Sequence, residues 1–139
     1  MTIPDDSVIS LVRGYTEVLM SRIVVAAVSD LFFASKIRAT AEHLGIEVRF
    51  VRNSQTLADI ARGNPPDLFL VDLQSTNLDP IELAQTLRAD ERLNSVPLLG
   101  FYSHIQTELQ ERAIQAGYTH VMPRSAFSQR LGDVLSGVI

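Results

Sequence analysis

Five short runs of apolar character alternate with five segments of helical periodicity, and this alternation constrains the fold more than any other feature of the sequence. Three runs are predominantly apolar and rich in branched or aromatic residues: 23–28 (IVVAAV), 68–71 (LFLV) and 96–102 (VPLLGFY). Such runs are typical of buried parallel strands. The runs at 46–51 and 118–122 mix apolar with polar positions, which indicates the less covered strands at the edges of a sheet.

Apolar residues recur every three or four positions between these runs, as on the buried face of a helix. The five sets are Phe33, Ile37, Ala41 and Leu44; Leu57 and Ala61; Ile81, Ala84 and Leu87; Ile105, Leu109, Ala113 and Ala116; and Phe127, Leu131, Val134, Leu135 and Val138. A strand–helix unit repeated in this way predicts a parallel sheet with right-handed crossovers and helices on both faces.

The two mixed runs also predict the order of the strands. If the second and fifth strands are the edges, the order is 2-1-3-4-5, which is the flavodoxin-like, doubly wound α/β arrangement. Its binding crevice lies at the carboxyl ends of the first and third strands. Ser29 and Asp30 follow the first strand, and Asp72 follows the third. We therefore expect these polar residues to lie in the crevice.

Composition limits the classes of function. A chain of 139 residues fits one domain, and the absence of cysteine excludes disulfides, thiolate metal sites and cysteine nucleophiles. The net charge of −4 and the scattered basic residues argue against a nucleic-acid surface. The first 22 residues lack the pattern of a signal peptide or a membrane span. We expect a cytoplasmic protein that binds neither nucleic acid nor membrane.

The segment before the first strand is predicted to be a separate element, residues 1–20, ahead of the main domain at 21–139. Its apolar residues share one face of a helix: Val8, Leu11, Val12, Tyr15, Val18 and Leu19. Two interpretations stay open. This amphipathic helix docks on its own domain or pairs with a second copy, or translation begins at Met20 and residues 1–19 are not part of the native chain.

Two stretches carry a resemblance to a known family. The sequences PDLFLVDL…LDPIEL at 66–83 and VPLLGFYS…ERAIQAGYTHVM at 96–122 resemble receiver domains of the bacterial two-component response regulators. The similarity extends over residues 22–136. It implies a signalling protein rather than an enzyme, with a histidine kinase or another signalling protein as its partner. In that family a partner is usually contacted through the face from the fourth to the fifth helix.

The resemblance also implies a site, which this sequence matches in part. Asp72 corresponds to the aspartate that the family phosphorylates. The acidic pair that helps to bind Mg²⁺ in the family falls on Val28 and Ser29, with Asp30 one position later. Asp30 and Asp72 are therefore the remaining candidate metal ligands, and we expect Mg²⁺ binding to be weak or absent. We expect no other cofactor.

The two other family positions are changed as well. A small hydroxyl residue is replaced by Tyr102, followed by Ser103, and the family's lysine is replaced by Arg124. Arg124 has two interpretations. It pairs with Asp72 as a surface ion pair of little energetic value, or it imitates the lysine contact of the phosphorylated state and holds one signalling conformation.

These substitutions favour a degenerate pseudo-receiver that acts by protein–protein interaction, with phosphorylation absent or weak. The chain ends soon after the last helix, so we expect no attached output domain. A homodimer through the N-terminal helix or the face from the fourth to the fifth helix is also consistent with the sequence. The first alternative is a functional single-domain response regulator phosphorylated on Asp72. The second is a small flavodoxin-like enzyme or ligand-binding protein that uses the same crevice.

Overall fold

The computed structural model describes residues 22–104 and 106–138. The strands are β1 (Ile23–Ala27), β2 (Glu47–Phe50), β3 (Leu68–Asp72), β4 (Leu98–Tyr102) and β5 (His120–Pro123). The helices are α1 (Leu31–Leu44), α2 (Ser54–Gly63), α3 (Pro80–Ala89), α4 (Thr107–Ala116), α5 (Arg124–Gln129) and α6 (Leu131–Ser136). The amphipathic helix predicted within residues 1–20 lies outside the described part of the chain.

All strand pairs are parallel, and the order is β2-β1-β3-β4-β5. The predicted order and the predicted edge strands are therefore confirmed. Residues of the two edge strands are half-buried or exposed, whereas β4 is buried along its whole length. This difference in burial explains the mixed and the apolar sequence runs, because an edge strand has a neighbouring strand on only one side.

The sheet separates two hydrophobic clusters, one on each face. Val25 and Phe69 point to the cluster that includes Leu57 of α2 and Leu83 of α3. Alternate strand residues point to the other face, where the packed side chains come from α1, α5 and α6; they include Ile37, Phe127 and Leu135. Strand side chains point alternately to the two faces of the sheet, and helices cover both faces, as the doubly wound fold requires.

Two departures concern the helices. The stripe at 127–138 predicted one final helix, but the structure has two short ones, because Arg130 leaves the helical region at φ −109° and ψ 19°. Gly132, with its low helix propensity, lies two residues later. Leu44 and Val138, both predicted to face the core, are 43% and 68% exposed, at the end of α1 and beyond the end of α6. None of the helices in residues 22–104 and 106–138 is long and apolar enough to cross a membrane.

Candidate functional site

Four of the predicted site residues lie at the carboxyl edge of the sheet. Asp72 is the last residue of β3, and Tyr102 is the last residue of β4. Asp30 precedes α1 three residues after β1 ends, and Arg124 is the first residue of α5 directly after β5. Because the strands are parallel neighbours, their ends converge on one crevice.

Arg124 pairs with Asp30 across this crevice. Its Nη2 atom donates a hydrogen bond to Asp30 Oδ2 at 2.9 Å. The guanidinium carbon also lies 4.0 Å from the centre of the Phe33 ring, which is within cation–π range. Of the two interpretations of Arg124, the one that pairs it with Asp72 is therefore wrong in the partner, since the guanidinium donates to the carboxylate of Asp30.

The ring beneath the guanidinium is itself fixed by aromatic packing. Phe33 meets Phe101 edge-on with ring centres 5.1 Å apart and meets Phe127 at 5.5 Å. All three rings are buried. The position of Arg124 is thus set by the core below it as well as by the carboxylate beside it.

Both carboxylate oxygens of Asp30 are engaged. Oδ1 accepts the backbone N–H of Phe33 at 3.1 Å and so caps the N-terminus of α1, while Oδ2 accepts from Arg124. These hydrogen bonds, with the backbone donor first and Arg124 second, hold the pKa of Asp30 below its ordinary value. Asp30 therefore stays ionised and committed to protein donors.

Asp72 has a different environment. It is half-buried, and its Oδ1 accepts the backbone N–H of Gln74 at 2.9 Å. Burial raises the pKa of Asp72, against the opposing effects of the Gln74 N–H and the positive charge of Arg124, and the negative charge of Asp30 raises it further. The two carboxylates and the guanidinium therefore interact electrostatically within one crevice.

Tyr102 differs from its expected place. Its side chain is buried in the hydrophobic cluster beneath α3 and α4, and its hydroxyl accepts a hydrogen bond from Nε2 of Gln110 in α4. The hydroxyl is thus held by α4 rather than directed at Asp72. Ser103 is exposed at the rim, where its backbone N–H donates to Gln74 Oε1 at 2.6 Å.

The residues present do not fit the Mg²⁺ site that the fold implies. Val28 is an apolar side chain, Ser29 is exposed, and Asp30 is occupied by the helix cap and Arg124. Within the described residues, no group of three or more His, Cys, Asp or Glu side chains is placed to hold a metal ion. The acidic neighbour of Asp72 in this crevice, Asp30, is therefore engaged by protein donors, whereas a hard divalent cation needs several free oxygen ligands.

Two residues of the site were missed from the sequence. Gln74 connects the loops after β3 and β4, since its side-chain oxygen also lies 3.4 Å from the N–H of His104. Phe33 was predicted as a core residue, but it also supports Arg124. The short-range bond from the Gln74 N–H to the Asp72 side chain follows a common local pattern, but nothing local predicts the contact of the Gln74 side chain with the loop after β4. No local signal distinguishes Phe33 from its apolar neighbours.

Structural comparison identifies the fold. The chain superposes on the chemotaxis response regulator CheY4 of Vibrio cholerae with a TM-score of 0.75, covering 86% of this chain and 100% of that one at 16% identity. The fold is that of a receiver domain. In this fold, the ion pair of Arg124 and Asp30 lies in the crevice at the carboxyl ends of the strands, where the strand order reverses between β1 and β3.

Sequence comparison finds response regulators as relatives. The chain is 30% identical over 80 residues to the polar-differentiation response regulator DivK of Brucella anthropi, across 58% of this chain and 65% of DivK. It is 27% identical over 92 residues to the response regulator PleD of Caulobacter vibrioides, across 66% of this chain and 20% of PleD. The matches thus span less than two-thirds of each relative. No protein-family model matches the chain.

Proposed function

We propose that this protein is an atypical response-regulator receiver that signals by protein–protein contact, with phosphorylation of Asp72 absent or weak. The observation that carries the proposal is the occupation of Asp30 by Arg124 and the α1 cap, with Val28 and Ser29 in place of two acids. Phosphoryl transfer to a carboxylate needs cationic groups that offset the charge developing on the transferred oxygens. Here the arginine is committed to a carboxylate and the metal ligands are missing.

The buried tyrosine supports the same conclusion. Receiver domains of the response regulators signal with a small hydroxyl side chain that moves toward the phosphoryl group. Tyr102 instead fills the core and is fixed by Gln110. A ligand can only shift an equilibrium between states that the protein populates. We therefore expect the surface of this domain to be presented to its partner in one state.

Exposed apolar side chains favour a contact surface at the start of α1. Phe32 is 92% exposed and its neighbour Leu31 is 81% exposed, next to the carboxylate–arginine pair. On α4, Ile114 is 60% exposed, within the face that the sequence resemblance points to. Two adjacent exposed apolar residues are more typical of an interaction site than one isolated exposed apolar residue. We therefore assign the principal contact with the partner protein to Phe32 and Leu31.

Recovery of partners from the native cells tests this function. Tagged full-length protein, the D72N variant and the F32S variant are isolated in parallel, and the proteins that accompany each are quantified by mass spectrometry. We expect D72N to recover the same proteins as the wild type and F32S to lose them, with I114S as the control for an exposed apolar residue elsewhere. Loss of the partners from D72N would contradict a function that is independent of the phosphoacceptor position.

A functional response regulator phosphorylated on Asp72 is the second candidate. The observation that favours it is Asp72 itself, which ends β3 and has no hydrogen-bond partner for Oδ2 among residues 22–104 and 106–138. In that case Arg124 would have to leave Asp30 and turn to the phosphoryl group. Intact mass spectrometry after incubation with a small phosphodonor and Mg²⁺ separates the two candidates.

A further inference from the structure

A second concave site lies beside the crevice, on the β2 side of β1. The cavity is open to solvent, has a volume of about 540 Å³ and is lined by the end of β1, the first turns of α1, the end of β2 and the loop after β3. Asp30, Asp72 and Arg124 do not line it. Its size falls in the range of pockets that bind small organic molecules, about 300–1,000 Å³.

The charged residues of this cavity are both cations. Arg38 and Arg52 line it, and no acidic side chain does. Neither arginine forms an ion pair or donates a side-chain hydrogen bond within the described part of the chain; Arg38 instead lies over the ring of Phe50, with its guanidinium carbon 4.9 Å from the ring centre. Two such guanidinium groups in a protein of net charge −4 form a local site for an anion.

The rest of the lining combines hydroxyl and apolar groups. Ser29, Ser35 and Ser75 supply hydroxyl groups. The apolar walls include Leu78 and the ring of Phe50. Arginine forks bind phosphate and carboxylate groups with paired N–H donors, and apolar walls bind the body of an organic molecule. The cavity therefore offers both kinds of contact to one ligand.

We propose that this cavity binds a small organic anion, in which a phosphate or carboxylate group is attached to a flat apolar body. The anionic group pairs with Arg38 and Arg52, and the apolar body lies against Phe50 and Leu78. Because Ser29 in the turn after β1 and Leu31 at the start of α1 both line the cavity, the ligand contacts the segment that carries the exposed Leu31–Phe32 surface. Asp72 does not line the cavity, whereas Val28 and Ser29, at the positions of the acidic pair in receiver domains, do.

Phenylphosphonate is a suitable probe, since its carbon–phosphorus bond prevents phosphoryl transfer to Asp72. The full ¹⁵N-labelled chain is titrated with phenylphosphonate, with methylphosphonate as the anion without a ring and with benzyl alcohol as the ring without a charge. We expect amide shifts at Ser29, Ser35, Ser75 and Asn77, and affinity for phenylphosphonate at least about tenfold above that for either fragment.

Matched arginine variants complete the test. R38Q and R52Q are each expected to weaken phenylphosphonate binding by about tenfold or more, while R130Q, an exposed arginine outside the cavity, leaves it unchanged. Unchanged amide shifts outside the cavity show that the variants are folded. Binding that survives both R38Q and R52Q, shifts centred on Asp72 and Arg124, or equal affinity for methylphosphonate would each overturn the proposal.

Discussion

Asp30 and Asp72 follow neighbouring strands, yet their pKa values move in opposite directions. The pKa of Asp30 is lowered chiefly by the Phe33 N–H and then by Arg124, whereas that of Asp72 is raised chiefly by burial. A buried carboxylate that lacks a close cation destabilises the folded state when it is charged. The two acids thus contribute to stability with opposite signs.

This difference predicts the effect of D72N on stability. Above the raised pKa of Asp72 in the folded state, the buried charge lowers the free energy of unfolding. As the pH falls through that pKa toward the unfolded value of 3.8, the folded state takes up a proton before the unfolded state does, and this penalty disappears. Asparagine carries no charge and can still accept the Gln74 N–H. We expect D72N to be more stable than the wild type at pH 7, with the advantage fading as the pH approaches 4.

Urea unfolding of both proteins at several pH values between 7 and 4 measures this difference. D133N, which changes an exposed acid at the start of α6, is the matched control and is expected to lie within about 0.5 kcal/mol of the wild type throughout. A D72N variant less stable than the wild type at pH 7 would show that charged Asp72 is stabilised by its surroundings rather than penalised.

Among the secondary-structure elements, β4 packs closely against Leu73, the residue after β3, at Gly100. A Cβ atom on Gly100 would lie 2.7 Å from Cδ2 and 2.8 Å from Cγ of Leu73, and Leu73 is buried at 3% exposure. Because the clash involves the branch point of a packed side chain, the neighbour cannot simply rotate its end away. Glycine is therefore required here by packing and not by backbone conformation.

The G100A variant is expected to lower the free energy of unfolding by about 1–3 kcal/mol. Gly63, the last residue of α2, has no atom within 4 Å of the equivalent Cβ position. G63A should therefore leave stability unchanged or raise it by no more than about 1 kcal/mol. Chemical unfolding of the two variants against the wild type makes the comparison, and equal effects of the two substitutions would contradict the packing argument.

The elements also show what the sequence can predict. The strand order followed from the contrast between apolar runs and mixed runs, because edge strands have one open side. The split between α5 and α6 did not follow, since the apolar stripe at 127–138 continues across Arg130 without interruption. Periodicity predicts which face of a helix is buried, but it does not predict a local break in the backbone.

For the whole molecule, the sequence predicted which residues converge at one edge of the sheet but not which of them pair. Parallel strands bring Asp72, Asp30 and Arg124 to one edge, and this could be predicted. The choice of Asp30 over Asp72 as the partner of Arg124 depends on where α1 begins and on the Phe33 ring beneath the guanidinium. Such choices depend on tertiary contacts within a few ångströms, which sequence spacing does not resolve.

For the molecule as a whole, we propose that the residues of the crevice themselves prevent phosphoryl transfer to Asp72. Restoring the acidic pair and the lysine of receiver domains should allow phosphoryl transfer to Asp72. The V28D/S29D/R124K variant supplies two acids for Mg²⁺ and replaces the arginine that pairs with Asp30. The same change combined with D72N shows whether any phosphoryl group resides on Asp72.

The most direct test is intact mass spectrometry after incubation with a small phosphodonor and Mg²⁺, with the wild type and the V28D/S29D/R124K variant treated side by side. We expect the wild type to stay unmodified and the variant to gain one phosphoryl group, which D72N abolishes. A wild-type protein that acquires a phosphoryl group, and loses that ability in D72N, would show that the native crevice supports phosphoryl transfer to Asp72.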